Sequence, residues 1–235
     1  MAIFYAPQPK KIINMPDNMR NIARRVFDAE IESLQNVAGL IDDEFGKVID
    51  LILNAPGRLI IAGVGKSGII AQKIAATLTS TGTPCFFLHP GEAFHGDLGM
   101  VGRHNPVILI SYSGETDEVL QVIPFFKWNQ NTIISITGNP LSTLAKNSHH
   151  HLNVAIVHEA CPLKLAPTSS TTAALVMGDA IAVALMEARN FQPEDFARFH
   201  PGGTLGRKLL VKVKDLMRTD NLPFIDEGAS LTELL

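Results

Sequence analysis

The sequence has few charges, few cysteines and no long apolar run, and each shortage excludes a class of protein. Charged residues make up 18% of the 235 residues, against about 25% in an ordinary soluble domain, so we expect much of the chain to be buried. Two cysteines, Cys85 and Cys161, are too few for a disulfide framework and have no CxxC spacing. The longest apolar run, residues 173–186, contains Gly178 and Asp179. A membrane-spanning helix needs about 20 apolar residues, so this run predicts a buried core helix.

Basic blocks and a signal peptide are also missing. The chain has 20 Lys and Arg against 23 Asp and Glu, a net charge of −3, and no cluster typical of a nucleic-acid-binding surface. Its N-terminus lacks the apolar stretch and small-residue cleavage site of a signal peptide. We therefore expect a reduced, cytoplasmic, soluble protein with no nucleic-acid or membrane partner.

The chain does contain a regular alternation of strand and helix patterns. Residues 1–16 have three prolines and no periodicity, which predicts a flexible lead. Helical spacing of apolar residues from 17 to 52 predicts two amphipathic helices. Five continuous apolar runs then alternate with helical segments: RLIIAG, PCFFLH, NPVILIS, TIISIT and HLNVAIV. This pattern predicts an α/β fold, a five-stranded parallel sheet in flavodoxin-like order with helices on both faces.

A glycine-rich turn, GVGKSG at residues 63–68, follows the first predicted strand. It has the spacing of a dinucleotide-binding fingerprint. However, the second strand ends at Leu88-His89 without the acidic residue that such a site places on the ribose. The turn is not a Walker A loop either, because Ile60 stands where that motif has glycine. A lysine and Ser67 at a helix N-terminus still predict an anion site, although a simple strand–helix turn with Ser67 as N-cap also explains them.

Two further hydroxyl-rich turns precede predicted helices. SYSGET, residues 111–116, ends the third strand, and TSSTT, residues 168–172, opens the long apolar helix; they supply the candidate ligands Ser111, Ser113, Thr116, Ser169 and Ser170. Turns after parallel strands meet at one edge of the sheet, where ligands of such folds bind. Hydroxyls and free N–H groups at helix ends bind phosphate oxygens. The sequence therefore predicts a site for a phosphorylated small molecule.

Candidate acids and bases lie near the same edge. Glu118 is in the first turns after SYSGET, and Glu159 follows the fifth strand. His95 lies in a glycine-rich loop with Asp97, and His200 lies at a helix end before Pro201. Each could equally be a surface residue. The run His149 to His151 is interpreted as a surface segment entering the fifth strand, because consecutive residues of a strand point to opposite faces.

Five segments together resemble the arabinose-5-phosphate isomerases of the sugar isomerase (SIS) domain superfamily: GVGKSG, TSTGTPCFFLHPGEAFHGDLGM, SYSGETDEVL, EACPLKLAPTSSTTAALVMGDAIAVAL and HPGGTLGRKLL. The resemblance predicts a SIS domain over residues 17–210. Residues 211–235 resemble a linker and the start of the paired cystathionine-beta-synthase (CBS) repeats that follow the SIS domain in this family. We expect the chain to lack most of those repeats.

The resemblance implies interconversion of D-arabinose 5-phosphate and D-ribulose 5-phosphate, which supplies Kdo for lipopolysaccharide or capsule. It implies catalytic roles for Lys66, Glu118, Glu159 and His200. Substrate binding is implied for Gly82, Thr83, His89, His95, Ser111, Ser113 and Thr116, and an inhibitory zinc ion for His89. It implies no required cofactor, and a homotetramer with sites between subunits.

The implied reaction agrees with the residues, because isomerisation through an enediol needs proton transfer and no cofactor. Which glutamate is the base stays open. Two other functions stay open as well: isomerisation of another phosphosugar by a SIS enzyme, and a sugar-phosphate sensor without turnover. Such sensors usually carry a helix-turn-helix, and residues 1–54 show no basic recognition helix.

Overall fold

The structure, a computed structural model, describes residues 15–210, 212, 216–218, 220, 224 and 226–234. The chain divides into two compact units, residues 1–190 and 191–235, which are described separately. Residues 1–14 of the predicted lead lie outside the described residues, and the first helix already begins at Met15. The predicted domain bounds of 17–210 and 211–235 stay predictions.

The first unit alternates strands and helices. In chain order its elements are α1 (Met15–Gly39), α2 (Asp43–Asn54), β1 (Leu59–Gly63), α3 (Gly65–Ser80), β2 (Cys85–Leu88), α4 (Pro90–Ala93), a 3-10 turn (Asp97–Met100), β3 (Val107–Ile110), α5 (Asp117–Gln121), α6 (Ile123–Trp128), β4 (Ile133–Thr137), α7 (Thr143–Lys146), β5 (His150–Asn153) and α8 (Ser169–Ala188).

The five strands form one parallel sheet in the order β2-β1-β3-β4-β5, which confirms the predicted flavodoxin-like order. In the centre of the sheet Ile60 pairs with Phe86 on one side and Val107 on the other. β1, β3 and β4 are buried along their whole length. Strands covered on both sides explain why these segments read as continuous apolar runs.

Two apolar cores flank the sheet, because successive residues of a strand point to opposite faces. Leu59 and Ile61 of β1 pack with α2, α3 and α8. Ile60 and Ala62 pack on the other face with Phe126 of α6 and with residues of α4, α5 and α7. Helices therefore cover both faces, as predicted.

The apolar helix α8 belongs to the first of these cores. By length and composition it is the one described helix that could cross a membrane, but half of it is buried inside the protein. Its buried face includes Ala173, Met177, Ile181 and Leu185. The prediction of a buried core helix is confirmed.

Two predicted elements differ in detail. The fifth strand, predicted over 151–157, is only β5, and residues 154–157 lie beyond it. The helix predicted over 116–128 is divided at Val122 into α5 and α6, since Pro124 has no N–H to bond to the carbonyl of Leu120. At Pro124 the missing N–H overrides the apolar pattern, and β5 ends at Asn153, the residue that pairs with Thr137 at the end of β4.

The histidine run enters β5, as predicted, but two of its three members are partly buried rather than on the surface. His150 and His151 belong to β5 and are half-buried. Their rings bond to Glu44 (3.0 Å) and Thr137 (3.0 Å). His149 is exposed, although its Nδ1 accepts a hydrogen bond from the N–H of Ile133 (3.0 Å). Because β5 begins at His150, the side chains of His150 and His151 point to opposite faces of the sheet, where they reach α2 and β4.

The second unit contains α9 (Pro193–Phe199), α10 (Thr204–Leu210) and α11 (Leu231–Leu234). A capping box between Gln192 and Asp195 begins α9. In the segment predicted as a linker and CBS start, residues 211–235, ten residues lie outside the described ones, and the assignment stays a prediction.

Gly68 of α3 tests how closely β1 and α3 pack, and Gly46 of α2 serves as the control. At Gly68 an added Cβ would lie 2.7 Å from the carbonyl oxygen of Gly63, so the backbone would have to move. We expect Gly68→Ala to lower the free energy of unfolding by about 1–3 kcal/mol. At Gly46, inside α2, an added Cβ meets nothing within 4 Å, and Gly46→Ala should instead stabilise by about 0.5–1 kcal/mol. Denaturant titration of both variants checks the opposite signs, and equal effects would contradict the close approach.

Candidate active site

A cavity of about 290 Å³ opens at the carboxyl edge of the sheet. The turns after β1, β3 and β5 supply its walls together with the start of α8. Its polar lining consists of Ser67, Tyr112, Glu159, Lys164, Ser170 and Thr171. In this strand order the crossovers change direction between β1 and β3, and ligands of such folds bind at that switch point.

A larger hollow, of about 480 Å³, lies at the opposite edge, beside residues that precede β1, β3 and β4. Size alone does not choose between the two. The carboxyl-edge cavity combines a carboxylate, several hydroxyls and the N-terminal ends of α3 and α8, where free N–H groups favour anions. We therefore take it as the candidate active site.

Glu159 is the best-ordered charged group of this cavity. Its Oε2 accepts hydrogen bonds from the N–H of Thr168 (2.7 Å), the hydroxyl of Thr168 (2.8 Å) and the N–H of Ser170 (3.3 Å). Its Oε1 accepts a short hydrogen bond from the hydroxyl of Ser170. Burial raises the pKa of the Glu159 carboxyl, but the bonds from Ser170 and Thr168 outweigh it and hold the pKa below its ordinary value. The group is therefore a fixed carboxylate at neutral pH.

Thr168, which the sequence interpretation did not select, holds Glu159 in place. Besides donating to Glu159, its hydroxyl accepts from the N–H of Ala160 (2.9 Å), so it joins both sides of the loop after β5. Ser170 lines the cavity and donates its hydroxyl to Glu159, and its predicted role in binding substrate stays a prediction. Ser169 is buried, and its hydroxyl has no partner among the described residues. The TSSTT motif signalled the region, but not which hydroxyls face the carboxylate.

The turn after β1 brings Ser67 to the cavity and leaves Lys66 exposed. The alternative in which Ser67 is the N-cap is wrong, since α3 begins at Gly65 and Val64 occupies the cap position without a side-chain bond. Gly65 has φ +58°, a value that favours glycine. The first N–H groups of α3 lack helical acceptors and stay available to an anion.

The turn after β3 is held by its own hydroxyls. Ser111 is buried, bonds to the hydroxyl of Thr116 (2.8 Å) and accepts from the N–H of Gly114 (3.1 Å). Ser113 is exposed and accepts from the N–H of Glu115 (3.2 Å). Glu118 is exposed in the first turn of α5. The phosphate-binding role of the three hydroxyls stays a prediction. The bond between Ser111 and Thr116 uses the proton of one hydroxyl only, so the other can still donate to a phosphate oxygen.

Tyr112, between these hydroxyls, forms part of the cavity wall. Its hydroxyl accepts from the N–H of Ile156 (3.3 Å), and an added Cβ on Gly138 would lie 2.3 Å from its ring. Burial raises the pKa of the Tyr112 phenol, and the charge of Glu159 adds to that increase. The ring thus fixes the distance between the turns after β3, β4 and β5.

The histidines after β2 lie at the same edge. His89 caps α4, and its Nδ1 accepts from the N–H of Gly91 (3.1 Å), so the neutral ring carries its proton on Nε2. His95 is exposed, and the structure records no hydrogen bond between its ring and Asp97. Among the described residues no group of three or more His, Cys, Asp or Glu side chains could hold a metal ion. Zinc at His89 stays a prediction.

Gly82 and Thr83 lie elsewhere in this chain. They precede β2, at the amino edge of the sheet, opposite the cavity. Thr83 is buried and accepts a short hydrogen bond from Arg189 at the end of α8. The structure does not bring these two residues to the candidate site within one chain, and their substrate-binding role stays a prediction.

His200 belongs to the second unit, where it follows α9. Its ring stacks on Phe196 with centroids 3.9 Å apart, and its Nδ1 lies 3.0 Å from the carbonyl oxygen of the same residue. Because a carbonyl only accepts, Nδ1 is the donor and Nε2 of the neutral ring is left as an acceptor.

The fold and the site define the class of protein. The SIS domain family model matches residues 51–184, so the chain contains a SIS domain, and its sheet has the five-stranded parallel order described above. A protein of Escherichia coli CFT073, solved in complex with arabinose 5-phosphate, superposes with a TM-score of 0.77 and 42% identity, over 81% of this chain and 100% of that one.

Curated relatives narrow the class. The arabinose 5-phosphate isomerase KdsD of Pseudomonas aeruginosa is 49% identical over 95% of this chain and 69% of its own length. A probable arabinose 5-phosphate isomerase of Haemophilus influenzae is 52% identical over 93% of this chain. The chain belongs to the family of arabinose 5-phosphate isomerases. It spans 64% of the Haemophilus protein and 69% of the Pseudomonas protein.

Proposed function

We propose that this chain interconverts D-arabinose 5-phosphate and D-ribulose 5-phosphate. The observation that carries the proposal is the Glu159 carboxylate, held ionised by Thr168 and Ser170 inside a cavity at the carboxyl edge of the sheet. A cavity of about 290 Å³ is at the lower end of the range for small-molecule sites. The family relationship, at about half identity to KdsD, supports this substrate.

We assign the base to Glu159. Its Oε2 already accepts three hydrogen bonds, whereas Oε1 accepts one and keeps a lone pair for a substrate proton. In the reaction a base takes the proton from C2 of the open-chain aldose while O1 is protonated, which gives an enediol. Loss of the proton from O2 and delivery of a proton to C1 then give the ketose.

The remaining predicted residues take roles around this step. Glu118 and His200 share ring opening and proton return. Lys66 and the N-terminal N–H groups of α3 stabilise the phosphate or the enediolate oxygen. Phosphate binding fixes the substrate, so that remote binding energy assists the reacting carbons.

The assembly and setting complete the proposal. His200 serves a site between subunits of a homotetramer, in the cytoplasm, without a required cofactor and with zinc at His89 as an inhibitor. The interconversion of the two sugar phosphates supplies the synthesis of Kdo for lipopolysaccharide or capsule.

Incubation of the purified protein with D-arabinose 5-phosphate and a chelator tests the proposal by ketose formation. Rapid appearance of ribulose 5-phosphate is the expected result. A folded, oligomeric protein that forms none would refute it. Parallel reactions with hexulose and heptulose phosphates then separate another SIS isomerase from a sensor without turnover.

A further inference from the structure

Lys164 has a backbone conformation that lysine rarely adopts. Its φ is +54°, in the left-handed region, and its N–H bonds to the carbonyl oxygen of Cys161 (2.8 Å). The turn lies in the loop between Glu159 and Pro167, both of which line the cavity, as Lys164 itself does. Unusual backbone conformations of this kind occur preferentially at functional sites.

The two charged side chains that line the cavity differ in the partners they have. Glu159 and Lys164 are the only carboxylate and the only cation among its lining residues. Both oxygens of Glu159 bond to Thr168 or Ser170, so the carboxylate is already compensated at the N-terminus of α8. No ion pair in the described part of the chain involves Lys164, whereas Lys73 and Lys47 pair with acids. The ammonium of Lys164 is therefore not tied to a carboxylate in the described part of the chain, although Glu159 lines the same cavity.

We propose that Lys164 binds the phosphate dianion of the sugar-phosphate substrate and sets its KM. The inference rests on the proposed function for its substrate, but its cation should bind phosphate whether or not turnover occurs. Lys164 and Lys66, the lysine singled out by its motif, are both exposed, but only Lys164 lines this cavity.

Three substitutions test the charge separately from the backbone. Lys164→Met removes the charge, Lys164→Arg keeps it, and Lys164→Gly removes it while favouring the left-handed turn. Lys146→Met, at an exposed lysine that does not line the cavity, is the matched control. Each protein is assayed for KM and kcat with D-arabinose 5-phosphate, and for binding of inorganic phosphate by calorimetry and by competition.

We expect Lys164→Met and Lys164→Gly to raise KM and the phosphate dissociation constant by about tenfold to a hundredfold, the loss of one charge-assisted contact. The kcat should stay within about twofold, and Lys164→Arg should restore binding. Changes below twofold in both charge-removing variants, or equal changes in Lys146→Met, would overturn the inference. If the wild-type protein turns over no phosphosugar, the proposed function fails, and phosphate calorimetry still decides for or against Lys164. A wild-type protein that binds no phosphate refutes the inference.

Discussion

Glu159→Gln is expected to lower the kcat for D-arabinose 5-phosphate by about 10²- to 10⁴-fold, the range that general acid–base catalysis contributes. The amide keeps the length of the side chain but cannot take a proton from C2. With the amide oxygen on the N–H of Thr168, its NH₂ group would face the hydroxyl of Ser170, which would have to accept instead of donate. Turnover and exchange of the C2 proton with deuterium from solvent both measure the loss.

The same substitution should cost stability, because the carboxylate caps the N-terminus of α8. Loss of a capping group costs about 0.5–2 kcal/mol. Glu187→Gln is the matched control, at an exposed glutamate in the last turn of the same helix, and should leave turnover and the unfolding free energy unchanged. Wild-type turnover in Glu159→Gln would remove Glu159 from the mechanism.

Ser170→Ala separates the charge of Glu159 from its hydrogen bonds. It keeps the carboxylate and removes the hydroxyl donor that lowers the carboxyl pKa. Since a base works only when ionised, a higher pKa moves the acid limb of the kcat/KM profile to higher pH. The stability of the fold should depend on pH in the same direction. The folded-state pKa of the Glu159 carboxyl is lowered, so this group adds to the free energy of unfolding above its unfolded-state pKa, and that contribution is lost as the pH falls. Lys164 and Tyr112, which line the same cavity, are unchanged in this variant.

The sheet was predictable because each of its strands is encoded by a short, continuous segment of the sequence. Each strand is a continuous apolar run, and runs separated by helical segments leave few parallel topologies. The strand order and the two covered faces followed from that pattern alone. One failure has a local cause, because Pro124 divides a helix that apolar spacing makes continuous. The other depends on the neighbouring strand: β5 ends at Asn153, opposite the last residue of β4, although apolar residues continue to Val157.

The site was predictable only as a region. Residues at the ends of β1, β3 and β5 converge because parallel strands share an edge, and Ser67, Glu159 and Ser170 do meet in one cavity. The partners of Glu159 depend on how the loop up to residue 168 folds back, which no spacing rule describes. Thr168 and Lys164 were missed for that reason. Gly82 and Thr83 lie at the opposite edge because they precede their strand rather than follow it.

Glu118→Gln is expected to lower kcat by about 10²-fold or more without a loss of stability. Glu118 is exposed, and no hydrogen bond or ion pair in the described part of the chain involves its carboxylate. Exposed substitutions of this kind change the unfolding free energy by less than about 0.5 kcal/mol. Asp117→Asn, one residue earlier in the same first turn, is the control for the helix dipole.

The two glutamates are therefore distinguished by two measurements made together. Loss of turnover with loss of stability is expected for Glu159, whose carboxylate is part of the fold, and loss of turnover alone for Glu118. If Glu118→Gln retains wild-type turnover, or Asp117→Asn loses as much, Glu118 is a surface acid favoured by the N-terminus of α5. Proton transfer then falls to Glu159 and His200, and Glu118 has no part in ring opening.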